Sequence, residues 1–281
     1  MARRLLSHLL ISLAVFVLTA TFFMWTIDAR VLEPVALSGE LRKAGVSKEL
    51  ASLMPQIVTA DEEASEIEKL DMTQKISQAV TADYVEKKIM AITESVLTFV
   101  RTGEPQPVID LSDFPDQLIA DGVDVGSDIN DKFSEPIKLN ENGDLDKIHE
   151  GYQVFSMVKV AGIFLFALIM LIEWFVAERG KKLRRLSRVF LYAGISYLLY
   201  WVALIVAPMV FGDKLRSSVQ AEYDASGLVD AVIKAVQGMF SLYFLVFAVT
   251  CLGIATILYI IRHYKHGDVL PSNAPTLKKS K

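Results

Sequence analysis

Four long apolar runs constrain this chain more than any other feature. The third run covers residues 189–211 and the fourth covers residues 235–261, and neither contains Asp, Glu, Lys or Arg. About 20 apolar residues are enough for a helix to cross the hydrocarbon core of a bilayer. A buried helix of a soluble protein seldom runs so far without a polar face. With the first run at 5–27 and the second at 157–177, the sequence predicts four transmembrane helices.

The first run also has features of a secretory signal peptide, because Arg3 and Arg4 precede it. Its apolar part is longer than the roughly 7–15 residues usual for such peptides, and residues 26–28 offer no small-x-small cleavage site. We therefore expect an uncleaved membrane anchor.

Basic residues indicate which side of the membrane each connection faces. Short cytoplasmic loops carry an excess of Lys and Arg, and such residues precede the first run, follow the fourth in 262–281, and crowd the connection at 178–188. This last stretch, ERGKKLRRLSR, is called the basic turn below, and its six basic residues are Arg179, Lys181, Lys182, Arg184, Arg185 and Arg188. We expect them to set topology and to contact anionic lipid headgroups, at about 1 kcal/mol each, and not to bind nucleic acid. The pattern predicts a multi-pass protein of the cytoplasmic (plasma) membrane with both termini inside.

Residues 28–156 and the short connection at 212–234 are then extracytoplasmic. The long region has 26 acidic and 12 basic residues, a net charge of −14. The only cysteine of the chain, Cys251, lies in the fourth run, so the external region has no disulfide. A large external region without disulfides favours a prokaryotic membrane.

Helical periodicity dominates the external region. Two short helices are expected at 33–44 and 47–58, separated by Gly45, with Ser47 as an N-cap. Pro55 is expected to kink or end the second of them. The fold class is therefore mainly α: four transmembrane helices with a mostly helical extracytoplasmic domain.

The clearest helix of this region is predicted at 81–101. Its apolar residues recur at helical spacing: Val85, Ile89, Ile92, Val96, Phe99 and Val100. Thr81 suits the N-cap and Gly103 the C-terminal end. We expect its apolar face to pack on the helix around 50–57.

The remainder of the external region has a different residue pattern. Residues 108–111 predict a short strand, and Ser112 can cap a short helix that ends near Ala120. Aspartate recurs at positions 110, 113, 116, 121, 124, 128 and 131, but no stretch has the EF-hand register. This favours solvated caps and turns and leaves a calcium site as the minor alternative. Asp144 or Asp146 is expected to cap a helix that continues without a break into the second run.

No catalytic constellation is present in the sequence. There is no nucleophile elbow, zinc-protease motif, P-loop or dinucleotide fingerprint. No two of the four histidines, His8, His149, His263 and His266, share a metal-ligand spacing with acidic or cysteine neighbours on a predicted element. We therefore expect a protein that is not an enzyme and has no cofactor or metal.

Lys159 and Glu173 are the charged residues inside the second run. Each lies about one turn from an end of the run, so snorkelling of both charges to the interface is expected. A pairing of Glu173 with the basic turn or with His8 is the alternative. Neither arrangement makes a central ion path, which argues against a transporter or channel.

Small and aromatic residues predict how the apolar helices pack. Gly194, Gly253 and Ala255 are among the small residues that favour close helix approach within the bundle, with homo-oligomerisation as an alternative. The inner aromatic residues of the third run, such as Tyr197, are expected to pack inside the bundle.

The order of these features resembles uncharacterised bacterial four-helix membrane proteins with an extracytoplasmic domain between helices 1 and 2. The resemblance rests on TADYVEKKI…LTFVRTGEPQPVIDLSDF in the external region and on RLSRVFLYAGISYLL after the basic turn. It implies this architecture and no activity.

The expected function is binding: the extracytoplasmic domain recognises a membrane or extracytoplasmic protein partner or a ligand, as a scaffold, sensor or accessory subunit. The predicted cytoplasmic parts are short, so a signalling role would require a partner subunit. The alternative is a transporter accessory or lipid-handling membrane protein, which requires a cleft within the bundle.

Overall fold

The computed structural model describes residues 2–60, 74, 76–77, 80–120, 136–140, 142–178, 181–219 and 225–267. These residues are mainly helical. In chain order the elements are α1 (Ala2–Arg30), α2 (Pro34–Ala44), α3 (Val46–Ala60), α4 (Ala82–Thr102), β1 (Val108–Ile109), α5 (Phe114–Ala120), β2 (Ile137–Lys138), α6 (Asp144–Val176), α7 (Lys182–Val219) and α8 (Ser226–Gly267).

Four of these helices are long and apolar enough to cross a membrane. They occupy Leu5–Arg30, Asp144–Val176, Lys182–Lys214 and Ser226–Tyr264. The shortest has 26 residues, more than the roughly 20 that a span needs. The prediction of four such helices is confirmed.

Local sequence signals determine the ends of α4. The Thr81 side chain accepts a hydrogen bond from the Tyr84 N–H, and Gly103 ends the helix with φ +81°. That left-handed conformation favours glycine because a Cβ is strained there. Both predicted caps are confirmed, and α6 runs unbroken from Asp144 to Val176 as expected.

Three local predictions are wrong. Helix α3 begins at Val46, one residue before the predicted cap Ser47, because the Gly45 carbonyl accepts the N–H groups of Lys48 and Glu49. The same helix continues through Pro55 to Ala60, so the predicted end at Pro55 is wrong, while the alternative of a kink there stays a prediction. At the start of α6, the Leu145 N–H donates to the Asn140 side chain and not to an aspartate.

The described residues form two compact units. Unit 1 comprises those within 1–20, 162–198 and 246–281, and unit 2 those within 21–161 and 199–245. The four long helices contribute residues to both.

Unit 1 has an apolar core built from α1, α6, α7 and α8. Val189, Ala193, Tyr197 and Ala248 are completely buried. The Tyr197 ring meets Phe247 edge to face at 4.6 Å, and its hydroxyl donates to the Thr19 carbonyl at 2.7 Å. Tyr197 is therefore an interior residue, as its position in the third run predicted.

Gly194 lets α7 approach α8 closely in unit 1. A Cβ at this position would lie 2.9 Å from the Leu252 Cγ and 3.1 Å from the Ala248 carbonyl oxygen. Gly194→Ala should therefore lower the free energy of unfolding by about 1–3 kcal/mol through overpacking. Thermal unfolding in detergent measures the change.

The matched control for Gly194→Ala is Gly253→Ala on α8, where a Cβ would meet no atom of the described residues within 4 Å. We expect that variant to stay within about 1 kcal/mol of wild type, since alanine has the higher helix propensity. Equal losses at the two glycines would contradict the close approach at Gly194. Gly253 therefore makes no close helix contact among the described residues, contrary to the packing predicted within the bundle, and the homo-oligomerisation alternative stays a prediction.

Unit 2 contains the core of the region between the first two long helices. Tyr84 and Val85 of α4 are buried with Phe114, and Leu50 and Met54 of α3 pack against them. The predicted packing of α4 on the helix around 50–57 is confirmed. The predicted strand at 108–111 is shorter, and it pairs antiparallel with β2 through Val108–Lys138 and Ile109–Ile137.

Candidate functional site

The basic turn joins α6 to α7, and its basic side chains have different partners. Arg185 forms an ion pair with Glu173 at 2.8 Å, Lys182 lies 4.6 Å from the centre of the Trp174 ring, and Lys181 pairs with Glu178. Arg184 and Arg188 form no ion pair within the part of the chain that the structure describes. Arg179 lies outside the described residues.

Glu173 is a buried member of this network. Only 3% of the residue is exposed, one carboxylate oxygen accepts hydrogen bonds from Ser7 at 2.7 Å and Arg185 at 2.8 Å, and the other is buried without a hydrogen-bond partner among the described residues. The expected snorkelling of Glu173 is wrong, because pairing with the basic turn offsets the cost of burying the charge. The pairing alternative is the one the structure shows.

A basic cleft lies beside this pair. Its volume is about 310 Å³, and it is lined by Ser7, His8, Ile11, Glu178, Lys181, Arg184, Arg185 and Arg188. Four of the six predicted headgroup residues therefore converge on one cleft, while Lys182 contacts Trp174. An anion entering the cleft would meet Arg184 and Arg188, whose side chains donate to no other side chain among the described residues.

Lys159 forms a second buried ion pair, in unit 2. Its ammonium donates to the Asp28 carboxylate at 2.5 Å and lies 4.9 Å from the centre of the Trp25 ring. Asp28 also accepts a hydrogen bond from the Tyr152 hydroxyl at 3.2 Å and faces Arg101 at 3.6 Å. Lys159 is thus paired and 7% exposed, so the snorkelling predicted for it is wrong as well.

This Asp28 network connects α4 to two of the long helices. Arg101, in the last turn of α4, binds Glu33 at 2.8 Å in addition to facing Asp28. Asp28 belongs to α1, and Lys159 and Tyr152 belong to α6. Sequence analysis missed Asp28, although it is the only acidic residue of α1 and an apolar run with a lysine requires a nearby acid.

A further ion pair, Arg30–Glu40, connects α1 to α2. Arg30 binds the Glu40 carboxylate at 3.1 Å and lies 4.9 Å from the centre of the Tyr243 ring of α8. The other Glu40 oxygen would lie 2.5 Å from a Cβ at Gly238, so α8 provides space for this carboxylate only because residue 238 is glycine. The two networks together tie α2 and α4 to α1, α6 and α8 within unit 2.

A polar cleft lies along α4. It measures about 360 Å³ and is lined by Thr81, Asp83, Tyr84, Lys87, Lys88, Ala91 and Asp113. Asp113 accepts from Lys88 at 2.6 Å and from the Tyr84 hydroxyl at 3.3 Å. Burial, and then the neighbouring Asp113 charge, raise the pKa of Tyr84 well above its ordinary value. Both charge signs are therefore present at one surface, beside a tyrosine that stays neutral.

Asp110 and Asp113 of the aspartate-rich segment have structural partners. Hydrogen bonds from the Ser112 hydroxyl and N–H lower the pKa of Asp110, while Asp113 belongs to the α4 cleft. Among the described residues no group of three His, Cys, Asp or Glu side chains is placed to hold a metal ion. Asp121, Asp124, Asp128 and Asp131 lie outside the described residues, so the calcium alternative for the whole segment stays a prediction.

A third cleft, of about 520 Å³, lies between α7 and α8 in unit 2. Pro208 has no N–H for the Leu204 carbonyl, and Gln237 of α8 donates to that oxygen at 3.2 Å. At the polar end, hydrogen bonds to Asp230 raise the pKa of Arg216. The lipid-handling alternative requires a cleft in the bundle, and this one keeps it open as a prediction.

No protein-family model, curated protein or solved structure matches the chain.

Proposed function

We propose that this chain is a multi-pass protein of a bacterial cytoplasmic membrane with both termini inside, and that its external region, residues 28–156, is a non-enzymatic binding module. The orientation is supported by the Lys and Arg of the basic turn and of both chain ends. The basic residues of the turn contact anionic headgroups on the cytoplasmic side.

The observation that carries the binding proposal is the α4 cleft on a helix that is held by ion pairs. Arg101 at the end of α4 is fixed by Asp28 and Glu33, and Asp28 is fixed in turn by Lys159. A surface positioned by buried charged partners is pre-organised, and binding to it costs little ordering entropy. With Lys87, Lys88 and Asp83 at its rim, the cleft suits a polar partner segment that carries both charge signs.

Single introduced cysteines test orientation and binding in one experiment. Cys251 is buried, so the wild-type chain is a silent background for a membrane-impermeant maleimide. In right-side-out membranes the reagent should label Lys87→Cys in the α4 cleft and Lys147→Cys on α6, and it should label Lys181→Cys in the basic turn only after permeabilisation.

The same variants report occupancy of the α4 cleft. At native expression, Lys87→Cys should react more slowly in the membrane than in the purified protein, because a bound partner shields it, and a photoactivatable maleimide at this site should give one discrete adduct. Lys147→Cys, whose side chain is 77% exposed in wild type, is the matched control and should react equally in both. Unchanged reactivity of Lys87→Cys would refute the binding proposal, and labelling of Lys181→Cys in sealed membranes would refute the orientation.

A further inference from the structure

The basic cleft of unit 1 contains two arginines whose charges no described side chain neutralises. Lys181, Lys182 and Arg185 have partners at Glu178, Trp174 and Glu173. Arg184 and Arg188 have none among the described residues, and they stand one helical turn apart, on the same face of α7. Both line the cleft, together with His8 and Ser7 of α1.

Arg184 lies in the first turn of α7, where its charge opposes the helix dipole, and Arg188 lies one turn further along. Helix α7 begins at Lys182 and has no acidic residue in its first turn. The N-terminus of a helix carries a partial positive charge, so basic side chains there are unfavourable and an anion is favourable. Setting topology requires only a number of positive charges in the loop and does not require them to converge on a cleft.

We propose that this cleft is a binding site for one phosphate group, held by Arg184 and Arg188 at the positive end of α7. The guanidinium group matches two phosphate oxygens at once, which an ammonium does not. Arg185 is excluded from this role because Glu173 holds it. A volume of about 310 Å³ is near the lower end of the roughly 300–1,000 Å³ of ligand pockets, so a phosphate with a small substituent fits. The phosphate can be that of a lipid headgroup or a free ion, and the proposal does not depend on the function proposed for residues 28–156.

The test uses the full chain in a non-ionic detergent, with phosphatidylglycerol and inorganic phosphate as separate probes. Native mass spectrometry counts the bound molecules, and titration gives the apparent Kd. Wild type should bind one probe molecule saturably. The variant Arg184→Gln/Arg188→Gln should bind about 30-fold more weakly, roughly fivefold for each cation removed. The single variants should each lose about fivefold on the same basis.

The control is Arg42→Gln/Lys48→Gln, which removes the same charge from two exposed positions on α2 and α3. It should bind like wild type, which separates a site from general attraction to a basic protein. Arg184→Gln/Arg188→Gln should also melt like wild type, because it breaks no described ion pair.

The two probes distinguish the sources of the phosphate. Displacement of phosphatidylglycerol by millimolar inorganic phosphate identifies the free ion as a ligand, whereas retention of the lipid identifies the headgroup in its membrane context, and each supports the site. The proposal is overturned if wild type saturates with neither probe. It is also overturned if Arg184→Gln/Arg188→Gln binds like wild type, or if the control weakens binding equally.

Discussion

Replacing Arg185 by leucine should lower the free energy of unfolding by about 3–5 kcal/mol. The variant leaves the Glu173 carboxylate buried, with the Ser7 hydroxyl as its only donor among the described residues. A buried charge without a counter-charge loses its Coulomb stabilisation and keeps its full desolvation cost. A chain of this size loses about 2–4 °C in Tm for each kcal/mol, so thermal unfolding in detergent should show a drop of roughly 6–20 °C.

Arg184→Leu is the matched control, because Arg184 is the exposed neighbour of Arg185 and has no ion pair among the described residues. Its Tm should stay within a few degrees of wild type. A triple variant, Ser7→Ala/Glu173→Leu/Arg185→Met, should recover most of the loss, since an apolar replacement of a complete buried ion pair is often neutral or stabilising. Equal Tm values for Arg185→Leu and Arg184→Leu would contradict a charged, buried Glu173.

Local chemistry explains why the sequence predicts the helices well. The four long helices follow from the length of the apolar runs, and the ends of α4 follow from Thr81 and Gly103, which act on backbone groups within four residues. The predicted cap of α6 is wrong because the residue that caps it is not placed by the helix pattern. Asn140 reaches the Leu145 N–H across a turn, so its role depends on turn geometry and not on the helix pattern.

The partners of the buried charges depend on contacts that no local pattern encodes. Ser7 and Glu173 are separated by 166 residues, and Asp28 and Lys159 by 131. The relative rotation and height of two helices decide which of their residues face each other. A shift of one helical turn would bring other side chains together. The sequence therefore shows that Lys159 and Glu173 are costly in an apolar run. It predicts that both snorkel to the interface, whereas in the structure both form buried ion pairs.

The Asp28 network should respond unequally to the loss of its two charges. Asp28→Ala leaves the buried Lys159 ammonium with only the Trp25 ring as a described partner, and should cost about 3–5 kcal/mol in the free energy of unfolding. Lys159→Met leaves Asp28 with the Tyr152 hydroxyl and with Arg101. We therefore expect Lys159→Met to cost less than Asp28→Ala, and thermal unfolding in detergent measures both.

The double variant Asp28→Ala/Lys159→Met tests whether the two charges act as a pair. Its loss should be smaller than the sum of the single losses, because residues in direct contact are not additive. Lys147→Met provides the control: its partner Asp144 is 73% exposed, and breaking such a surface pair costs about 0–1 kcal/mol. Additive losses, or a larger loss for Lys159→Met than for Asp28→Ala, would refute the pairing.

The same variants connect this ion pair to the α4 cleft. The Asp28 carboxylate faces Arg101, so Asp28→Ala should weaken the attachment of the last turn of α4 to α1, leaving the hydrogen bond from Arg101 to the Asp28 carbonyl at 3.3 Å, whereas Lys159→Met leaves both contacts in place. Hydrogen exchange of the amides at 97–102 should therefore accelerate in Asp28→Ala more than in Lys159→Met, since local opening depends on the contacts that hold a segment. Equal exchange in the two variants would show that Glu33 and the Asp28 carbonyl are enough to hold Arg101, and that α4 keeps its position without the charge at residue 28.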